Sequence, residues 1–231
     1  MKIDRNAVAL GLGGLVLGGF AISRLMKSGS RFGDATLAQA QADLGVTQSG
    51  DPARVLQMLS TYGISSMANW CAAAVGTWIQ QAAAAADVAP PVPGSAGAKN
   101  TMEQFQDASH PAVGWIDAAE LDQRPGLVQP GMVVVWQRGP AGSWMGHIGI
   151  VSENLGGGSF KSVEGNAGPT GGAVVESTHD LSSPALLGMG YFKDGGLRPA
   201  AVGVAVQQAP PDVPRPFMPR GGIPPEPSTG I

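Results

Sequence analysis

The chain carries one cysteine, Cys71, in the stretch "MANWCAAAVGTWIQQ", and three histidines, His110, His147 and His179. A lone cysteine cannot form an internal disulfide, so Cys71 is either a small buried hydrophobe or a reactive thiol. Alanine, valine, tryptophan and isoleucine follow it, which predicts a helix over 71–86 that is apolar almost all round and therefore buried. A helix starting at Cys71 places the thiol beside unpaired backbone N–H groups and the positive end of the helix dipole, a setting that favours the nucleophilic thiolate. Such a nucleophile needs a partner that takes and returns protons, and the partner needs a group to orient it. His147 fits the first role. It opens a predicted strand after the loop "RGPAGSWMG", between the small residues Gly146 and Gly149. Glu164 and Asn166 fit the second. They lie on or just past the next strand, where alternate positions share a face and can come beside His147. Three successive elements would then converge on one cleft, with the residue types for covalent attack on a carbonyl. Taken singly, each residue also has a plain structural reading: a cysteine at the head of a buried helix and a histidine at a strand start are usually inert.

The elements that must position these residues can be read from periodicity and turn residues. Asp51-Pro52 opens a helix as N-cap and first helical residue, with Val55, Leu56, Leu59 and Tyr62 as its apolar stripe and Gly63 at its end. "TLAQAQADLG" forms a further short helix ending at Gly45. "DVAPPVPGSAGAKN" reads as a loop, since its prolines cannot continue a helix. A short helix is expected near 117–121. Beyond it the period changes to two, and strands are predicted over 132–137, 147–153 and 160–165, then in "GGAVVESTHD" and "LLGMGYFK". Helices first and an antiparallel sheet afterwards predict an α+β layout, with the helices segregated to one side of the sheet.

Both ends differ from this middle. Residues 6–23 are uncharged between Arg5 and Arg24. As a helix they would span about 27 Å, a little less than the roughly 30 Å hydrocarbon core of a bilayer. The nearest small-x-small cleavage pattern, Ala38-Gln39-Ala40, lies far past the apolar run, so an uncleaved anchor is expected rather than a removed signal peptide. Gly11, Gly14, Gly18 and Gly19 give spacings that permit close helix packing in lipid. From Arg198 the chain is rich in proline and reads as an extended tail or a strap for a partner. The expected organisation is an anchor helix over 1–30, a linker over 31–50, a folded domain over 51–197 and a proline-rich tail over 198–231.

Composition limits the function. At 43% hydrophobic residues the chain can bury a real core, and at 13% charged residues it has about half the usual charge of a soluble domain, which suits a membrane-associated or secreted setting. A net charge of -3 argues against a nucleic-acid partner. One cysteine rules out a disulfide-stapled fold and a cysteine-rich zinc site, and His110, His147 and His179 are too scattered in sequence to suggest a metal centre. His110 reads as a surface residue, and His179, before Asp180, as a strand-end cap.

The run "NWCAAAVGTWI", then "PGMVVVWQRG", "GHIGIV" and "VEGN", resembles the cysteine- and histidine-dependent amidohydrolase/peptidase family, the CHAP domains, over roughly residues 50–195. The "GHIGIV…EGN" pair is the most specific part. The resemblance implies a papain-like (CHAP/NlpC-type) α+β fold, with N-terminal helices packed on an antiparallel sheet, and cleavage of amide bonds in bacterial peptidoglycan without metal or cofactor. Cys71 would be the nucleophile, His147 the general base and then acid, and Glu164 the group that orients the imidazole. Asn166 would share that role or bind substrate. The Cys71 N–H would hold the oxyanion with a second donor, for which Tyr62 and Asn69 are candidates, and Trp144 would line the substrate groove. The bond cut stays open between the N-acetylmuramoyl-L-alanine amide and a stem-peptide or crossbridge bond.

The hydrophobic end and proline-rich tail suit a virion component, in a tail or internal membrane, that opens the wall from the host periplasm. They also suit a bacterial inner-membrane protein facing the periplasm. Partners would be peptidoglycan, a membrane through residues 6–23, and virion or envelope proteins through the tail. Two other readings stand beside it: a structural or ejection protein of a virion with a non-cutting hydrolase-like domain, and an antibacterial toxin amidase.

Overall fold

The computed structural model describes residues 30–200, with Thr170 left out. The expected anchor segment 6–23 and nearly all of the tail lie outside the described residues, and among the described residues no helix is long and apolar enough to cross a membrane.

The first helix, α1 (Arg31–Ala42), starts where Ser30 caps it, its hydroxyl accepting from the Gly33 N–H at 2.9 Å. The carboxylate of Asp194, beyond the last strand, accepts from the Arg31 and Phe32 amides at 2.8 and 3.2 Å, where a helix N-terminus favours negative charge. Phe32, Leu37 and Ala40 of α1 are buried in the main core. The stretch 31–50 is therefore part of the folded unit rather than a linker, despite the boundary expected at 51. The short helix expected to end at Gly45 is the second half of α1.

Helix α2 (Pro52–Ser60) begins at the expected proline. Asp51 precedes it without a side-chain cap, because its carboxylate takes the Thr47 N–H instead. Helix α3 (Cys71–Ala85) has eleven buried residues and is the centre of the helical layer. Its alanines are strong helix formers, and their small side chains let neighbours come close on every side. It ends where Asp87 adopts a left-handed φ of 53°. Buried Asp43, just past α1, ties the first three helices together. Its carboxylate accepts from Arg54 of α2 at 2.6 Å and from the Trp78 indole N–H of α3 at 2.7 Å. Helix α4 (Ala98–Gln106) follows the proline-rich loop.

The six strands are β1 (Val113–Asp117), β2 (Val133–Gln137), β3 (Gly146–Gly156), β4 (Ser159–Ala167), β5 (Ala173–Asp180) and β6 (Leu186–Phe192). They form one sheet in the order β1-β6-β2-β3-β4-β5, antiparallel at every pairing. The architecture is α+β. Period-two alternation divides the sheet into two apolar faces. Val133, Val135, Ile148, Ile150 and Val163 pack under α1–α4. Val134, Trp136, Val151, Phe160 and Met189 form a second cluster with Leu121 of α5 (Ala118–Gln123). The helices are thus not all on one side, since the sequence places an apolar residue at nearly every position of "MVVVW" and both faces need cover. The edge strand β1, half-buried and interrupted by Gly114, lacks the alternation that would mark it in sequence.

Candidate functional site

Cys71 is the first residue of α3, and it is 7% exposed. The helix ladder begins when the Ala74 N–H meets the Trp70 carbonyl at 2.9 Å, so the amides of Cys71, Ala72 and Ala73 lie ahead of it. What seats this turn on the sheet is Gly165 of β4. A Cβ there would stand 2.8 Å from both the Ala74 Cβ and the Trp70 ring. The fully buried Trp70, whose indole N–H donates to Gln48 at 3.2 Å, holds the turn down from its other end. The position of the Cys71 thiol therefore depends on a glycine one residue from Glu164.

His147, the second residue of β3, is 3% exposed. Its Nε2 lies 2.8 Å from Glu164 Oε2. Glu164 does not stand opposite His147 in the ladder; it pairs with Gly149, and its side chain runs diagonally over that glycine. A Cβ on residue 149 would come within 2.8 Å of Glu164 Cγ and 2.9 Å of the Val163 carbonyl oxygen. Gly149 thus makes room for the carboxylate. Gly146, by contrast, lies close to Ala98 and Lys99 of α4.

The electrostatics follow from this geometry. Burial by itself would raise the Glu164 pKa, but hydrogen bonds from His147 and His179, the charge of His147 and the Ser162 hydroxyl hold it at about 2. The carboxylate is ionised and can only accept, so the His147 Nε2 must carry the hydrogen. That leaves Nδ1 as the nitrogen able to receive a proton. Nδ1 is buried and makes no well-aligned hydrogen bond. The Cys71 thiol nevertheless favours the charged form of this imidazole. Burial disfavours the imidazolium, but hydrogen bonding to Cys71 and then to Glu164, with the charges of both, raises the His147 pKa above its ordinary 6.5. Trp136, directly opposite His147 on β2, lies beside the imidazole with centroids 5.7 Å apart.

The other expected site residues are placed differently. The register slips between Glu164 and Ala167, and Asn166 takes a left-handed φ of 54°. The bulge breaks the alternation that would have put Asn166 on the face of Glu164. Its amide donates instead to Asn69 at 3.3 Å, so no His147 contact links Asn166 to the imidazole's orientation. Asn69, two residues before Cys71, is exposed. The Tyr62 hydroxyl accepts from Gln80 at 3.4 Å and lies against Gly76 and Gly94, alongside the middle of α3 rather than at its head. Trp144 is 80% exposed in the loop before β3. That loop is firmly tied: Lys99 Nζ donates to Gln137 at 2.5 Å and to the Ser143 carbonyl at 2.6 Å.

Sequence reasoning missed Ser162 and His179. The Ser162 hydroxyl donates to Glu164 Oε1 at 2.8 Å, and His179 Nε2 lies 2.5 Å from the same oxygen. The period-two face Phe160, Ser162, Glu164 could have revealed Ser162; His179 comes from β5, and its approach depends on the β4–β5 register. Among the described residues no group of three histidine, cysteine or acidic side chains is arranged to hold a metal ion. A cavity of about 410 Å³ lined by Ser30, Met132, Tyr191 and Phe192 includes none of Cys71, His147 or Glu164.

No family model matches the sequence, and neither does any curated protein. Among solved structures the chain is similar to PlyC, known from an X-ray crystal structure, at 20% identity and a TM-score of 0.44. The match covers 81% of this chain, and this chain spans 43% of that one.

Proposed function

We propose that the protein is a cysteine hydrolase that cleaves an amide bond in bacterial peptidoglycan. The observation that carries the chemistry is the grouping of Cys71, His147 and Glu164: a thiol at a helix head, an imidazole whose charged form it favours, and a buried carboxylate on the imidazole's Nε2. His147 Nδ1 takes the thiol proton, and Glu164 stabilises the imidazolium that forms. The thiolate attacks the amide carbonyl carbon, a C–S bond forms, and the carbonyl oxygen becomes an oxyanion. The amide of Cys71, ahead of the helix ladder, donates to it in this reading. Collapse of the intermediate breaks the C–N bond, with the proton on Nδ1 going to the leaving amine. His147 then deprotonates water, which hydrolyses the thioester and frees the thiol.

Peptidoglycan as substrate rests on the motifs "GHIGIV" and "EGN" around His147 and Glu164, which resemble those of wall-cleaving amidases and peptidases. In this reading exposed Trp144 offers an apolar surface to the polymer. The expected settings, a virion acting in the host periplasm or a bacterial inner membrane, belong to the same proposal.

The test is digestion of purified peptidoglycan by the full chain and by C71A, with mass spectrometry of the soluble products. Stem peptides released from intact glycan by the parent alone identify an amidase, and cut stems or crosslinks an endopeptidase. If several wall types yield no fragments and Cys71 alkylates at equal rates with and without His147, the hydrolase reading is lost in favour of a binding or structural role.

A further inference from the structure

Glu164 has two oxygens, and the proposed mechanism uses one. Oε2 faces His147, while Oε1 is occupied by His179 Nε2 at 2.5 Å and by the Ser162 hydroxyl at 2.8 Å. We propose that His179 is a positioning residue of this site, which pins the second oxygen of Glu164 and through it fixes the tautomer and orientation of His147. The inference rests on the reading of Cys71 and His147 as nucleophile and base.

Three features support it. A glutamate's terminal torsion is broad, so one contact to His147 would leave the carboxylate plane free to turn. Two donors on Oε1 remove that freedom. Next, an ionised carboxylate only accepts, so His179 must present an Nε2–H to it, as His147 does. The resulting pair of hydrogen bonds keeps Glu164 charged, and only a charged Glu164 forces the hydrogen of His147 onto Nε2. Finally, the His179 ring is itself held. It lies against Trp136 at 4.6 Å between centroids and against Phe160 at 5.6 Å. Phe160 is its register partner on β4, four positions along the same face from Glu164. Trp136 touches both imidazoles, so one indole sets the spacing of the two histidines that share the carboxylate.

The experiment uses the full chain with three substitutions: H179A, H179F and H179Q. Phenylalanine keeps the ring contacts without the donor, and the glutamine side chain restores an N–H donor for Oε1. Readouts are the rate of Cys71 alkylation by iodoacetamide, the His147 tautomer by long-range proton–nitrogen NMR, and kcat and KM on peptidoglycan. Mutating the outer-shell partner of a metal-ligating histidine typically costs about 10- to 100-fold, and a loss of that order is expected here. H179A and H179F are expected to lose kcat on that scale with KM unchanged, to slow alkylation, and to mix the His147 tautomers. H179Q is expected to recover most of each. Wild-type alkylation and tautomer in H179F overturn the inference, and so does an H179Q as impaired as H179F. H147A separates the two levels. If it alkylates as fast as the parent, the hydrolase reading itself fails; if only H147A is slow, His179 alone loses its role. Should H179A fail to fold, the H179F and H179Q comparison decides.

Discussion

Glu164 reaches His147 only because the residue directly opposite it on β3, Gly149, has no side chain. The face of the sheet that carries His147 and Glu164 is organised around that missing atom. The carboxylate crosses the strand diagonally and meets an imidazole two positions away, and Ser162 and His179 hold it from behind.

The first prediction follows at once. In G149A the new Cβ would stand under 3 Å from both Glu164 Cγ and a backbone carbonyl oxygen, so something must move. Overpacking of this kind costs roughly 1–3 kcal/mol. A turnover loss of about 10- to 100-fold is expected, the scale seen when an outer-shell partner of a metal-ligating histidine is lost. Denaturant melts and kcat of G149A check both, and an unchanged kcat refutes the proposed role of the glycine.

Glu164 should also dominate the acid limb of stability. Its folded pKa is depressed from 4.5 to about 2, so the stability it contributes is fully present above its unfolded value near 4.5 and is lost as pH falls through about 2. At 1.36 kcal/mol per decade the effect is on the order of 3 kcal/mol. His147 has the opposite sign. Its folded pKa is raised above 6.5, so its contribution is full below 6.5 and is lost as pH rises through the folded value. E164Q should flatten the loss between pH 4.5 and 2 and move the His147 titration to lower pH, read by unfolding midpoints and by NMR of the imidazole.

Asn166 provides a contrast. Its left-handed backbone suits glycine or asparagine, and its side chain bonds Asn69 rather than His147. N166G should therefore keep turnover within a few-fold of the parent and leave the pH profile in place. A loss comparable with that of E164Q would show that Asn166 acts on the imidazole after all.

Trp144 is mostly solvent-exposed, on a loop that Lys99 and Gln137 hold by its backbone. W144A should change stability by no more than about 0.5 kcal/mol, as surface substitutions do. If the indole contacts substrate, KM for peptidoglycan rises while Cys71 alkylation keeps its rate. An unchanged KM removes Trp144 from the substrate groove.

How much of this was written in the chain depends on the range of the interactions. The α3 helix headed by Cys71, the strand bearing His147 and the strand bearing Glu164 were legible, because alanine content and period-two alternation are local properties. The partnership of His147 with Glu164 was legible too, since the two strands are sequential neighbours and adjacent strands pair readily. The core role of residues 31–42 was not, because α1 is anchored by Asp194 from the far end of the chain. Asn166 was misplaced because a single-residue bulge reverses the face of a side chain, and alternation does not register it. Tyr62 was misplaced because which part of α3 it meets depends on the loop bearing Gly94, not on its own helix.

The sequence by itself determined the chemistry on offer: one thiol, one histidine set in a glycine-flanked strand start, one carboxylate on the next strand, and a composition able to bury them. Only the tertiary structure decided which nitrogen faces the carboxylate, what supports that carboxylate from β5, and how Gly149 and Gly165 open space for Glu164 and for the head of α3. Residue types and periodicity are carried along the backbone, whereas tautomers, diagonal contacts and close approaches depend on register between strands. Register is set by the summed packing of both faces of the sheet.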